Sequence, residues 1–300
     1  VLGLSRRLGV QISDNPDTVL SEVKPDIAVH ATSSFLKQVY PQMEICIKHG
    51  VNVVSTCEEL SYPYFSESQQ IAKKLDAIAK KHKVTVLGTG INPGFLMDTL
   101  VIALTGLCQK VEKIKVTRLM NAAARRIPFQ KKIGAGLTVE EFKERIEKGL
   151  ISGHVGLAQS ISMIAAALAW KLDKIIIDEV QPVIATKPVS SEAIKVARGM
   201  VAGLKQIARG IKNGKEAITL SFQAYIGAEE EYDAIDIDGI PPIHEKISPC
   251  VHGDHGTVAI IVNSIPKVLN APHGLATMKD LPLPSATPED MRKYVTGKMN

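Results

Sequence analysis

The sequence is poor in cysteine and in aromatic residues, and it lacks any long hydrophobic run. Aromatic side chains make up 4% of its 300 residues, and the four cysteines form neither a CxxC pair nor a metal-type cluster. This spacing predicts free thiols in a reducing cytoplasm. No apolar run reaches the roughly 18 residues that a membrane span needs, and the first residues do not resemble a signal peptide, so we expect neither a membrane partner nor secretion.

Charge of one sign is also not concentrated anywhere in the chain. The formal net charge is +5, with 45% hydrophobic and 22% charged residues. Basic residues alternate with acidic ones in stretches such as 138–148, whereas nucleic-acid binding needs basic residues gathered on one element together with aromatics. The nearest such run, 118–132, is short. We therefore expect an enzyme-like globular protein of two domains or one large α/β unit, with no nucleic-acid partner.

The first third of the chain alternates strands and helices. Short apolar runs rich in β-branched residues at 26–32, 51–56 and 84–87 predict three buried strands, and the segments between them carry apolar residues at helical spacing. Strands separated by helices of this length pair in parallel through right-handed crossovers. The pattern predicts an α/β fold of the Rossmann type, with a doubly wound parallel sheet.

The middle of the chain has a different pattern. Residues 113–120 read as a strand, Thr138 and Glu141 form a capping box, and 157–170 read as an apolar helix. Asn213-Gly214 is a strong hairpin signal between two of the later strand-like stretches, which lie at 173–186, 200–211, 216–226 and 232–238. This pattern predicts a second, α+β domain built on a mixed or antiparallel sheet.

These patterns place a domain boundary near residue 110. We expect residues 1–110 to form part of a dinucleotide-binding domain and residues 111–256 to form an α+β domain for catalysis and dimerisation. A last helix, predicted from Thr257 to Leu269, and the proline-containing tail after it would complete the first domain with residues 257–300.

A glycine-rich turn follows the third strand, but it is not a dinucleotide fingerprint. In the stretch GTGINPG at 88–94, Pro93 stands where GxGxxG requires its third glycine. The turn is either a simple strand-to-helix connection or a place where a flat ring approaches the backbone closely. No other segment supplies the fingerprint, and the opening VLGLSRRLGV lacks an initiator Met. We expect that the chain is truncated at its N-terminus and lacks the first strands and the glycine loop.

Polar residues also follow the first two strands. The hydroxyl residues of ATSS at 31–34 either cap the next helix or line a cofactor crevice. Glu58 and Glu59 belong to a surface loop or supply a catalytic carboxylate, because the carboxyl ends of parallel strands are where open α/β sheets hold their ligands.

Three further polar groups lie in the second predicted domain. The stretch 125–136 is a solvated basic loop, an active-site lid or an anion site. His154 lies in SGHVG, and His252 lies in HGDHGT before the last helix. The two histidines of HGDHGT have no matching third ligand, so we predict no metal.

Several motifs together resemble one family. They are HATSSFL at 30–36, CEELSYP at 57–63, GTGINPGFLMDTL at 88–100, GHVG at 153–156, GMVAG at 199–203 and VNSIPKVLNAPHGLATMKDLPLP at 262–284. They are similar to those of the 2,4-diaminopentanoate dehydrogenases and the related native amine dehydrogenases. The segment AAARRIPFQKKIGAG and the HGDHGT motif resemble the amine dehydrogenases that take simple ketones and amines.

The resemblance implies a dihydrodipicolinate-reductase-like fold, NAD or NADP as cofactor, and a homodimer. It also implies oxidative deamination of an amine to a ketone and ammonia, with the reverse reductive amination. The catalytic carboxylate falls in CEEL, with Glu58 preferred over Glu59. For the substrate we predict contacts from His154, Phe129, Gln130 and His252. For the cofactor we predict contacts from Ala31, Thr32, Ser33, Ser34, Cys57, Gly90, Asn92, Pro93 and Gly94.

Two other functions are compatible with the sequence. A cyclic imine reductase like dihydrodipicolinate reductase would not consume free ammonia, whereas an amine dehydrogenase would. A non-catalytic binding or scaffold protein is favoured if no GxGxxG precedes Val1 in the full-length gene.

Overall fold

The computed structural model describes residues 8–65 and 68–295. Its first sheet is wholly parallel, with the strand order β1-β2-β3-β13. These strands are β1 (Ile27–His30), β2 (Asn52–Ser55), β3 (Thr85–Gly88) and β13 (Gly274–Ala276). The last strand joins the sheet from near the end of the chain, so this sheet is completed by two distant parts of the sequence.

Helices cover both faces of the parallel sheet. They are α2 (Leu36–Lys48), α3 (Ser68–Lys81) and α8 (Gly253–Leu269), while α1 (Pro16–Val23) packs beside α2. Val53 packs with α2 and α3, whereas its neighbour Val54 packs with Ile261 and Val268 of α8. Successive side chains of a strand point to opposite faces, so β2 is buried on both sides. The sheet is therefore doubly wound, as predicted.

The second sheet has seven strands and is mixed. Its order is β12-β11-β4-β10-β9-β5, with β6 also paired to β9. These strands are β4 (Lys110–Asn121), β5 (Lys174–Ile177), β6 (Gln181–Ile184), β9 (Val201–Lys212), β10 (Lys215–Tyr225), β11 (Tyr232–Ile240) and β12 (Ile243–Ile247). β4 and β10 pair in parallel, while the other neighbours are antiparallel. A two-stranded ribbon, β7 (Val189–Ser190) and β8 (Lys195–Val196), lies apart from it.

One helix of the second unit touches both sheets. Ile161 and Ile164 of α7 belong to the core over the mixed sheet, whereas Met163 packs with Val54 and Leu87 of the parallel sheet. The helices of this unit are α4 (Thr99–Thr105), α5 (Ile127–Lys132), α6 (Val139–Glu147) and α7 (Leu157–Ala167). The contacts of α7 bring the two sheets together beside the ends of the parallel strands.

The predicted fold class is confirmed, and several element boundaries differ. The hairpin at Asn213-Gly214 is present with both residues at positive φ, and so is the capping box of Thr138 and Glu141. The single strand predicted over 173–186 is two strands, β5 and β6. The apolar helix ends at Ala167, and the last helix begins at Gly253, so HGDHGT forms its first turn.

Within the described ranges, no helix combines the length and the apolar character needed to cross a bilayer. Residues 1–7 and 296–300 of the predicted domains lie outside the described residues.

Candidate functional site

Three turns meet at the carboxyl edge of the parallel sheet, where open α/β sheets bind their ligands. They follow β1, β2 and β3. The backbone N–H of Thr56 donates to the carbonyl of His30, and that of Thr89 donates to the carbonyl of Ser55 at 2.8 Å. These bonds extend the strand pairing into the turns, so the three turns form one continuous edge.

The hydroxyls of the first turn do not cap the helix that follows. Thr32 Oγ1 donates to Gln42 Oε1 at 2.7 Å, and Ser33 Oγ donates to Gln38 Oε1 at 2.6 Å. The residue before α2 is Phe35, which has no side chain able to cap it. Thr32 and Ser33 therefore do not cap α2, because their hydroxyls bond to glutamines of the helix instead.

The second turn is a 3-10 helix, Glu58–Ser61, whose two glutamates differ in their surroundings. Glu59 Oε2 accepts a hydrogen bond from the backbone N–H of Leu36 at 2.7 Å. Its own N–H donates to the carbonyl of Ser34 at 3.2 Å. The Glu58 carboxylate, half-buried, has no hydrogen-bond or ion-pair partner among residues 8–65 and 68–295. Glu59 is therefore used within the fold, and Glu58 is free for chemistry.

Cys57 precedes this turn and is buried. Its thiol donates to the carbonyl of Ser34, with a distance of 3.3 Å between Sγ and O. Burial, the largest cause, raises the pKa of this thiol to about 12. At neutral pH the side chain is thus a neutral thiol that ties the second turn to the first.

The third turn, 88–94, needs its glycines for close packing. A Cβ at Gly88 would lie 2.5 Å from the backbone carbon of Leu60, and one at Gly94, where φ is +126°, would lie 2.4 Å from the nitrogen of Gly90. Thr89 Oγ1 and Asn92 Nδ2 are buried and have no hydrogen-bond partner in the described part of the chain. The turn therefore presents polar groups that its own residues leave unpaired.

A buried aspartate connects this turn to α7. Asp98 accepts hydrogen bonds from the backbone N–H of Gly94 at 2.8 Å and from Ser160 Oγ at 2.7 Å. It also caps α4 by accepting from the N–H of Thr99. Burial raises the pKa of Asp98, although all of these donors favour its charged form. The sequence analysis did not select this residue, and the signal for it was its place directly before the apolar run of α4, where an aspartate caps a helix.

The starts of α7 and α8 both pack against the third turn, 88–94. A Cβ at Gly156, where φ is +110°, would lie 2.4 Å from Cδ of Pro93, and one at Gly256 would lie 2.6 Å from Cδ1 of Ile91. These contacts leave no room for larger residues. They bring the elements that carry His154 and His252 to the carboxyl edge of the parallel sheet.

His154 precedes α7 and stacks on Phe222 of the mixed sheet. The ring centroids are 4.3 Å apart, and the planes of the two rings are nearly parallel, with an angle of 6° between them. Burial first, and then the positive charges of Lys132 and Arg118, lower the pKa of His154 to about 3. The imidazole is therefore neutral at physiological pH, although part of its surface is still open to solvent.

The basic stretch 125–136 is not a free anion site. Arg125 pairs with both carboxylate oxygens of Asp254, at 3.1 and 3.2 Å, and Arg126 reaches the same carboxylate at 3.2 Å. The Arg125 guanidinium lies over the Phe129 ring, 4.3 Å from its centroid. The single Asp254 carboxylate thus offsets one of these two positive charges, and its pairing with Arg125 holds Phe129 beside the first turn of α8.

Gln130 and His252 occupy contrasting positions. Gln130 is buried; its Nε2 donates to the carbonyls of Ala123 and Arg125, and its Oε1 accepts from Ser191 Oγ at 2.6 Å. His252 is the residue before α8, and its Nδ1 is buried without a partner in the described part of the chain. Its ring lies 4.4 Å from that of His255, and no group of three His, Cys, Asp or Glu suited to a metal occurs among the described residues.

The edge thus brings together the turns carrying Glu58 and Asn92, the histidines at the starts of two helices, and Phe129. Three of the predicted side chains bond elsewhere. Gln130 bonds to Ala123, Arg125 and Ser191, and the hydroxyls of Thr32 and Ser33 bond to α2. A doubly wound sheet that gathers polar groups at its carboxyl edge, against a mixed sheet, defines a Rossmann-type dehydrogenase fold.

Comparisons with known proteins identify the family within this class. The family described as "2,4-diaminopentanoate dehydrogenase C-terminal domain" matches residues 95–297. The chain is 34% identical over 315 aligned positions to the 2,4-diaminopentanoate dehydrogenase of Acetoanaerobium sticklandii, covering 99% of this chain and 89% of that protein. The chain therefore belongs to the 2,4-diaminopentanoate dehydrogenase family, as its motifs predicted.

A solved structure agrees with this assignment. Amine dehydrogenase from Mycobacterium smegmatis superposes with a TM-score of 0.82 at 28% identity, over 96% of this chain and 85% of that one.

Proposed function

We propose that the protein is a nicotinamide-dependent amine dehydrogenase, which converts a primary amine to a ketone and ammonia and catalyses the reverse reductive amination. The observation that carries the proposal is the pair of glutamates after β2. The Glu59 carboxylate caps a helix, while that of Glu58, at the carboxyl edge of the sheet, has no partner in the part of the chain that the structure describes. The family and the solved amine dehydrogenase support this reaction class.

The turn 88–94 fits a nicotinamide group. Thr89 Oγ1 and Asn92 Nδ2 are buried polar atoms without partners in the described chain, which suits a ligand amide. A Cβ at Gly90 would meet no atom nearer than 3.5 Å, so the backbone there leaves room for a flat ring. We propose that this turn holds the nicotinamide of NAD or NADP, with Pro93, Cys57 and the backbone of 31–34 lining the same crevice. The nicotinamide, when bound, accepts or donates hydride.

Glu58 is proposed as the general base. An amine is largely protonated at neutral pH, and it must lose a proton before its carbon can give up hydride. A carboxylate accepts that proton and also stabilises the positive charge of the iminium that follows. Glu58 is the better candidate, since the Glu59 carboxylate already accepts from Leu36 N–H.

The substrate is proposed to meet His154, Phe129 and His252. His154 has a pKa of about 3, so it offers a neutral hydrogen-bonding group that does not repel an ammonium. Phe129 supplies an apolar wall, fixed by the Arg125 guanidinium over its ring. We expect Gln130 to support Phe129 from the same helix, because its amide is fully bonded within the chain.

A substrate screen tests the proposal. Simple amines, 2,4-diaminopentanoate and the corresponding ketones are assayed with NAD and with NADP, in the presence and absence of ammonia. An amine dehydrogenase aminates ketones only with ammonia present. Reduction of cyclic imines without ammonia would indicate an imine reductase, and binding of cofactor without turnover of any substrate would indicate a binding protein.

We also propose that the protein is a cytoplasmic homodimer. The four cysteines, all within the described residues, are unbonded, which suits a reducing compartment. Light scattering after size-exclusion chromatography measures the oligomeric state directly, and a monomer at micromolar concentration would contradict the dimer.

A further inference from the structure

A buried ion pair lies in the mixed sheet close to the site. Arg118 of β4 is 1% exposed and shares a face of the strand with Ile114, Val116 and Met120. Its Nη1 donates to Oδ1 of Asp233 at 2.7 Å. The two residues stand opposite each other on the neighbouring strands β4 and β11.

The pair forms hydrogen bonds to both the N–H and the carbonyl group of one residue, Val251. Asp233 Oδ2 accepts from the N–H of Val251 at 2.9 Å, and Arg118 Nη2 donates to the carbonyl oxygen of the same residue. The guanidinium and the carboxylate thus bond to Val251 as a neighbouring strand would. Val251 directly precedes His252, the residue at which α8 begins.

The same row of paired residues in the sheet also supports the His154 ring. Phe222, on which the His154 ring stacks, stands opposite Arg118 on the other neighbouring strand, β10. The order across the sheet is therefore Phe222, Arg118, Asp233. One end of this row supports His154, and the other end holds the segment that leads to His252.

Stability alone does not account for such a pair. A buried ion pair is about as stabilising as apolar side chains of the same volume, because removing two charges from water offsets their attraction. What apolar residues cannot supply is a pair of directional hydrogen bonds to the N–H and the carbonyl of Val251. The specific contribution of the pair is the placement of this segment.

We infer that Arg118 and Asp233 are positioning residues, which fix the His252 imidazole relative to His154 in the amine-binding site. This inference rests on the proposed function, in which both histidines meet the substrate. Neither residue of the pair need touch the substrate itself. Their effect is exerted through the Val251 backbone.

The test replaces both charges at once, with Arg118→Met and Asp233→Leu together, because removal of one charge would leave the other buried and unpaired. KM for the amine should rise on the order of tenfold, the scale of losing one hydrogen bond, with a smaller change in kcat. His252→Ala should raise KM by a similar factor. Combining all three substitutions should give no further rise, since the pair acts through His252.

The chain offers a matched control on the same sheet. Arg209 of β9 forms partly exposed ion pairs with Asp178 and Glu216, and the side chains of Arg209 and Asp178 make no bond to a residue of the site. Arg209→Met with Asp178→Leu should leave KM unchanged. An effect of this control equal to that of the buried pair would overturn the inference, because it would show that sheet distortion alone is responsible.

A second readout does not depend on activity. The ring resonance of His252 in a proton–carbon NMR spectrum is assigned by its loss in His252→Ala, and it should move in the Arg118/Asp233 variant but not in the control. If the resonance moves while His252→Ala leaves KM unchanged, the positioning holds and the proposed substrate role of His252 is wrong. An unmoved resonance overturns the inference. Should the double variant fail to fold, Asp233→Glu, which keeps the charge pair but displaces the carboxylate, is measured by the same resonance, with the same two outcomes.

Discussion

The Glu59 carboxylate accepts a hydrogen bond from the backbone N–H of Leu36, 2.7 Å away, at the start of α2. The first N–H groups of a helix have no partner within it, and a carboxylate there also interacts favourably with the helix dipole. A residue far away in the sequence therefore caps this helix. Of the two adjacent glutamates, Glu59 therefore has a structural role, whereas the Glu58 carboxylate has no partner among the described residues.

The first prediction concerns the free glutamate. Glu58→Gln keeps the shape of the side chain but removes the base and its charge, so kcat should fall on the order of a hundredfold. Initial rates of ammonia-dependent ketone amination and of amine oxidation measure this. Glu59→Gln is the matched control, because its amide oxygen still accepts from Leu36 N–H and activity should change little. If Glu58→Gln keeps full turnover, the base lies elsewhere, and His252 is the next candidate.

The second prediction concerns the contact between Gly156 and Pro93. Gly156→Ala places a Cβ 2.4 Å from Cδ of Pro93 at a φ of +110°, so it should destabilise the protein by about 3 kcal/mol and lower activity. Gly199→Ala is the control: its φ is +87°, and nothing lies within 4 Å of the added Cβ. It should show only the cost of the backbone conformation, about 1 kcal/mol. Urea unfolding compares the two, and equal losses would mean that the clash is relieved by movement.

The third prediction concerns acid stability. The pKa of His154 is lowered to about 3 in the folded protein, from an ordinary value of 6.5. Between these values the unfolded chain binds a proton that the folded protein does not, so the free energy of unfolding falls as the pH drops from 6.5 towards 3. Above pH 6.5 the loss is absent. His154→Gln should flatten this dependence by up to one proton, about 1.4 kcal/mol per pH unit. Urea unfolding between pH 4 and 8 measures the slope, and identical slopes would contradict a neutral His154.

The fourth prediction concerns Asp98. An asparagine there keeps one acceptor oxygen but turns an NH₂ group towards donors from Gly94, Thr99 or Ser160. Asp98→Asn should therefore destabilise the protein by roughly 1 to 3 kcal/mol. Asp290, an exposed cap of a short 3-10 helix, offers the comparison. Asp290→Asn should be close to neutral in thermal unfolding, because asparagine caps as well as aspartate. A neutral Asp98→Asn would mean that the linkage to α7 is dispensable.

The local signals in the sequence predicted the parallel sheet well. The strands at 27–30 and 52–55 lie within the predicted runs, and the strand at 85–88 is one residue beyond the run predicted at 84–87, because each is a short apolar stretch between a helix and a turn. The Asn213-Gly214 hairpin was equally readable, since its backbone conformation favours those two residues. Each of these signals depends only on residues that are close together in the sequence.

The pairing of strands that lie far apart in the sequence could not be predicted in the same way. Nothing in the sequence of β4 indicates that it pairs in parallel with β10 and lies between β10 and β11. The capping of α2 by Glu59 was also missed, because its partner is on another turn. Arg118 and Asp233 did carry a signal. Each is a charge on the apolar face of an alternating strand, where a charge requires a buried partner.

The position of β4 has a consequence for how the chain acquires its structure. Ile114 of β4 pairs with Ile218 of β10, and Arg118 pairs with Asp233 of β11, so the central strand of the mixed sheet finds both neighbours only after a long stretch of chain has been made. Contacts between distant residues slow folding, because the intervening chain must be ordered first. During synthesis on the ribosome, β4 emerges early and stays unpaired on both edges until β10 and β11 follow. The mixed sheet should therefore form only after β11 has been made, and until then the edges of β4 need protection from aggregation.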